Sequence, residues 1–158
     1  MLIKNLPSLL VICTTLLLCA FVIPQDNLPL TNKKIIEFCD MKLKKKVGNG
    51  ECWDLANYAL QYANAKWSPP YEFGKKVNYK TEQILSGDII QFEKVKIELG
   101  NGSTEKMSHH TAIVYQVLGK NKYLIAHQNL SGVKKVNKTE LDLNLMTKGS
   151  VTFFRPQP

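Results

Sequence analysis

The chain is poor in several things, and each shortage closes off a class of protein. It has four cysteines in 158 residues, and two of these, Cys13 and Cys19, lie in a charge-free leader. That excludes a dense disulfide framework and leaves Cys39 and Cys52. There is no C-x-x-C and no H-E-x-x-H spacing among the cysteines and the three histidines. Cys52, His110 and His127 are chemically plausible zinc ligands, but without a short paired spacing no metal is predicted, and no other cofactor is implied. Aromatic residues are 9% of the chain and do not interleave with the lysines, which argues against nucleic acid as a partner. Acidic residues are also scarce, 13 against 21 basic, giving a net charge of +8. Internal repeats and low-complexity stretches are absent, so a single domain and a monomer are expected.

What is present begins with an address. Lys4 precedes a run from Leu9 to Ile23 without a charged residue. A run of that length suits a secretory signal better than a bilayer span of ~20 residues. The expected organisation is a signal peptide over 1–20, a linker over 21–31 and one domain over 32–158. An uncleaved anchor and a lipidated Cys19 are the alternatives. This reading predicts a secreted or cell-envelope protein. Its basic charge would then draw it to anionic surface polymers, unless the lysines serve only solubility.

Periodicity predicts helices first and strands afterwards. Thr31 offers a cap to a helix carrying Ile35, Phe38, Cys39 and Lys42 toward Lys46. Gly48-Asn49-Gly50 breaks it, and a second helix is expected over Cys52–Lys66, with Trp53, Ala56, Leu60, Ala63 and Trp67 on one stripe. Residues 71–86 read as irregular. Strands follow from Gly87-Asp88 through Ile89 and beyond, over Thr111–Leu118 and Tyr123–Asn129 as a hairpin, and over Val151–Phe154. The predicted class is α+β, helices packed on an antiparallel sheet.

The chemistry gathers around one cysteine. The glycine turn delivers Cys52 to the first turn of a helix, where the dipole favours a thiolate. Alternation puts His110, Ala112, Val114 and Gln116 on one strand face and turns His109 the other way. Across the hairpin His127 and Asn129 share a face, with Gln128 opposite. His110 is therefore the candidate base, and His127 or Asn129 the residue that would orient it. For the neighbours, core packing is expected of Trp53 and dipole complementation of Asp54. Cys39 reads as a small buried apolar residue, with a Cys39–Cys52 disulfide as the alternative.

GECWDLA, SGDIIQF, HTAIV and HQN, in this order, resemble the CHAP and NlpC-like cysteine amidases and peptidases of papain-like fold. The resemblance implies Cys52 as nucleophile and His110 as base. His127 stands where CHAP-type domains usually carry glutamate and NlpC-like enzymes often carry histidine. Asn129 matches the asparagine often found two residues later. GNGECWDLANYAL, HTAIV, HQN with Leu130-Ser131-Gly132-Val133, and the closing FFRP are more similar still to the cysteine-proteinase-fold domain of fungal actin-patch adaptor proteins and some bacterial proteins. That likeness runs over about residues 32–156. It implies a thiol hydrolase that cleaves amide bonds through an acyl-enzyme, with peptide or cell-wall amide as substrate. The alternative it carries is a catalytically inactive papain-fold binding module.

Overall fold

The computed structural model describes residues 27–158; the expected signal peptide, with Cys13 and Cys19, lies outside the described residues. Helix α1 runs over Leu30–Lys42 and α2 over Cys52–Tyr62. Six strands follow: β1 Lys75–Val77, β2 Ile89–Glu98, β3 Thr104–Gly119, β4 Lys122–His127, β5 Asn137–Asp142 and β6 Met146–Arg155.

Helix α1 departs from expectation at both ends. Thr31 does not cap it. Pro29 takes that position, its carbonyl accepts from Lys33 N at 3.0 Å, and Thr31 is buried inside the first turn. The fixed φ of proline suits a helix start. The helix stops at Lys42 rather than Lys46 because the backbone turns left-handed at Lys44, with φ 63°. From there the chain pairs with a distant segment: Lys44 N donates to Val136 O at 2.9 Å, and Val136 N to Lys45 O at 2.8 Å.

The strands form one antiparallel sheet in the order β1-β6-β2-β3-β4-β5. The expected hairpin is present, with Gly119 opposite Lys122 across Lys120-Asn121. Asn121 takes a left-handed conformation in that turn (φ 60°), which asparagine tolerates better than most residues. Four stretches are longer or additional, the first being β1, a short strand within residues 71–86 that were expected to be irregular. β3 starts at Thr104 instead of Thr111, β6 at Met146 instead of Val151, and β5 lies in a segment that carried no strand signal. Conversely, β4 ends at His127, two residues short of expectation.

Both sheet faces are covered, so the molecule has two cores. On one face Ile35, Phe38 and Cys39 of α1 and Leu55, Ala56, Ala59 and Leu60 of α2 pack against Ile89, Ile113, Ala126 and Phe154. On the other, Ile90, Phe92, Ala112, Val114, Ile125 and Phe153 meet Val77, Ile84 and Leu143. The fully buried Asp88 joins the layers. It receives Arg155 at 2.8 and 3.1 Å, Asn32 Nδ2 at 3.0 Å and Leu85 N at 2.9 Å. Burial pushes its carboxyl up, and the Arg155 guanidinium opposes that shift.

Candidate functional site

Cys52 is the first residue of α2 and is half-buried. The helix start is built by its own first turn. Asp54 Oδ2 accepts from Asn49 N at 2.8 Å and from Glu51 N at 3.1 Å, which completes a capping box with Glu51. Asp54 thus both caps the turn and places a carboxylate at the positive end of the helix. Gly48 is required there: at φ 55°, an added Cβ would stand 2.8 Å from the Asp54 carboxylate. Trp53 is half-buried and lies outside both cores, because the buried stripe of α2 runs instead through Leu55, Ala56, Ala59 and Leu60.

Alternation along β3 and β4 is as expected. His110 pairs in register with Phe92 and His127 with Asn137, and both histidines share the face that carries Ala112 and Ile125. Their rings lie 5.7 Å apart, edge to face. This is the face opposite the one against which the α2 stripe packs. His127 Nε2 and Thr139 Oγ1 share a hydrogen bond of 2.8 Å. His110 Nε2 and His127 Nδ1 are buried and have no partner. Desolvation pushes both imidazoles down to about 4, with the facing His127 adding to the shift of His110. Both are therefore neutral at pH 7.

The expected members are brought together in part. His110 meets His127, but no hydrogen bond joins the Cys52 thiol to either ring. Asn129 does not continue the strand face of His127. The ladder stops at His127, Asn129 turns left-handed (φ 59°), and its Nδ2 donates to Glu51 Oε2 at 2.7 Å. It holds the residue before Cys52 rather than His110. Cys39 and Cys52 are both free thiols; Cys39 is wholly buried, which pushes its thiol up to about 12.

Three further residues bear on this part of the sheet: Gln128 and His109, which the sequence placed only by face, and Thr139, which it did not single out. Gln128, fully buried on the helix face, donates to Val47 O at 3.0 Å and Glu51 O at 2.7 Å and accepts from Val47 N at 3.2 Å. It fastens the glycine turn to β4. Thr139 holds His127. On the helix face His109 points away from His110, with Nδ1 2.7 Å from Glu93 Oε1 and its ring 4.5 Å from that of Tyr71. Among the described residues no group of three His, Cys, Asp or Glu side chains is arranged to hold a metal ion.

Known proteins bear on this arrangement at two levels. Over 146 residues the chain is 34% identical to Altered inheritance of mitochondria protein 3 of Debaryomyces hansenii, an alignment covering 78% of this chain and 16% of that relative. The chain therefore spans less than a fifth of the relative's length. By fold it is similar to the crystal structure of Ly7917, with TM-score 0.51, 15% identity, and coverage of 79% of this chain and 62% of that one. Ly7917 with the hydrolyzing product of MDP gives the same TM-score at 17% identity, covering 79% and 63%. At such identity the likeness speaks for the fold alone.

The expectation of a secreted or cell-envelope protein is overturned by the yeast relative, whose name ties it to the inheritance of mitochondria, a process inside the cell. A charge-free run near residue 1 is a compositional signal and does not by itself fix where a protein resides. Residues 31–158 match the family model described as the AIM3/BBC1 cysteine proteinase-fold domain, and the helices-on-sheet architecture agrees with it. The chain belongs to the AIM3/BBC1 cysteine proteinase-fold domain family.

Proposed function

We propose that this domain is a papain-fold binding module. The observation that carries the reading is the state of the expected dyad. No hydrogen bond links Cys52 to His110, and the α2 stripe and the histidine pair occupy opposite sheet faces. An imidazole pushed down to about 4 is moreover a weak proton acceptor for a thiol.

A second reading is a thiol hydrolase of amide bonds, and a specific observation favours it. Two buried, unpartnered ring nitrogens each cost about 1–3 kcal/mol, which a purely structural pair would be expected to avoid. In that reading Cys52 attacks the carbonyl, His110 takes the thiol proton and returns it to the leaving amine, and water then releases the acyl group. His127 would steady His110, and Asn129 would steady the turn before the nucleophile.

The deciding experiment is the rate of iodoacetamide alkylation of Cys52 between pH 5 and 9, in Cys39→Ala protein with and without His110→Ala. The binding reading expects alkylation rates changed less than twofold by the histidine substitution at every pH. Rapid labelling at acid pH that slows tenfold or more in His110→Ala would replace it with the hydrolase.

A further inference from the structure

Seven of the chain's twenty lysines are gathered in one place. Two runs about ninety residues apart, Lys42-Leu43-Lys44-Lys45-Lys46 and Lys134-Lys135-Val136-Asn137-Lys138, are laid side by side by the hydrogen bonds between Lys44, Lys45 and Val136. A side-chain bond from Lys44 Nζ to Asn137 Oδ1 at 2.6 Å adds to the join. The two runs converge next to the cysteine turn. An added Cβ at Gly50 would lie 3.0 Å from Lys134 Cβ and 3.1 Å from Lys46 Cδ, so those two side chains stand over the backbone two residues before Cys52.

Seven lysines thus stand beside three carboxylates, Glu51, Asp40 and, inside the turn, the buried Asp54. Lys134 pairs with Glu51 at 3.0 Å, and Lys138 pairs with Asp40 at 3.1 Å while its ammonium sits 3.3 Å from the centre of the Tyr115 ring. Lys42 lies over the Phe38 ring at 5.4 Å. The exposed Lys45, Lys46 and Lys135 have no acidic partner among the described residues. Basic side chains therefore outnumber acidic ones on this patch by four. Keeping like charges together costs stability through repulsion, and the plain use of such an arrangement is to meet an anion.

We propose that this patch is a docking surface for an acidic peptide segment laid across the exposed Lys45, Lys46, Lys134 and Lys135 side chains, which cover the buried Gly50. The inference rests on the binding reading above and names its partner. Two observations favour a peptide over other polyanions. Within Val133–Lys138 and Lys42–Lys46 only Val133, 53% exposed, is a large exposed apolar side chain, too little to anchor the patch in a lipid surface. Tyr115 is covered by Lys138 and Phe38 lies under Lys42, while Tyr58, 44% exposed beside Gly48, is a lone ring and not a run on which successive bases could stack.

The test uses the full chain and a fluorescent twelve-residue peptide of alternating glutamate and serine, read by anisotropy at physiological salt. The triple variant Lys45→Glu/Lys46→Glu/Lys135→Glu should weaken binding tenfold or more. The triple variant Lys75→Glu/Lys76→Glu/Lys80→Glu, with the same change in net charge away from the patch, should stay within twofold. Circular dichroism spectra checked against the parent guard against misfolding. Equal losses in both triples, no measurable binding, or stronger binding to phosphatidylserine vesicles or an oligothymidine would each overturn the proposal. Anisotropy reads the patch and alkylation reads the thiol, so the docking surface and the binding reading can fail separately.

Discussion

At the scale of single residues, the buried histidines set the acid limit of this protein. Each is pushed down from its ordinary value to about 4 by burial, so the unfolded chain binds more protons than the folded one between about 6.5 and about 4. Their contribution is complete above that window and is lost as pH falls through it, by on the order of a few kcal/mol for the pair. Urea titrations should show a marked fall in midpoint from pH 7 to pH 4.5, and a midpoint unchanged over that range would contradict the burial argument. The period-two reading of β3 and β4 sorted His109, His110, His127 and Gln128 to the right faces, because a strand leaves no other choice. Asn129 was misplaced because the ladder ends two residues earlier than composition suggested. Gln128 drew no role because its partners are backbone atoms 77 and 81 positions away, which no local pattern encodes.

At the scale of elements, α2 depends on its first turn more than on its length. The helix spans 11 residues, too short to persist in water without tertiary contacts. Its packed stripe supplies those contacts, and Asp54 ties its start to Asn49 and Glu51. Replacing Asp54 with alanine should cost about 1–2 kcal/mol in urea unfolding and expose the cysteine turn to protease. Asp54→Asn should recover part of the loss, since an amide oxygen can still accept. The two helices were legible because they carry apolar residues at helical spacing; their far ends were not, because Lys44 and Asn64 adopt positive φ without being glycine. Strand β5 escaped notice because Asn137–Asp142 holds a single apolar residue, Leu141, on an edge with one neighbour. The first half of β3 is polar and exposed for a similar reason: it runs past the region the helices cover.

At the scale of the whole molecule, the α+β class and its helices-then-sheet order followed from the change of period near Gly87. Strand order did not follow, because it rests on pairings between segments far apart in sequence. β6 is the clearest case. It lies between β1 and β2, pairing Phe154 with both Lys76 and Ile89, and it carries Phe153 into one core and Phe154 into the other. Ending the chain after Leu145 should therefore abolish the fold rather than trim it, seen as loss of the β signal in circular dichroism and collapse of amide dispersion. A folded truncated protein would mean that the sheet can close without its inner strand. The same placement constrains how the domain comes into being in a cell. Translation delivers α1, α2 and the β2–β3 hairpin first, yet their sheet keeps an open inner seam until Arg155 has left the ribosome. For that interval the nascent chain displays an unpaired strand edge and the apolar side chains meant for Phe153 and Phe154, and it is then that chaperones would have most to hold.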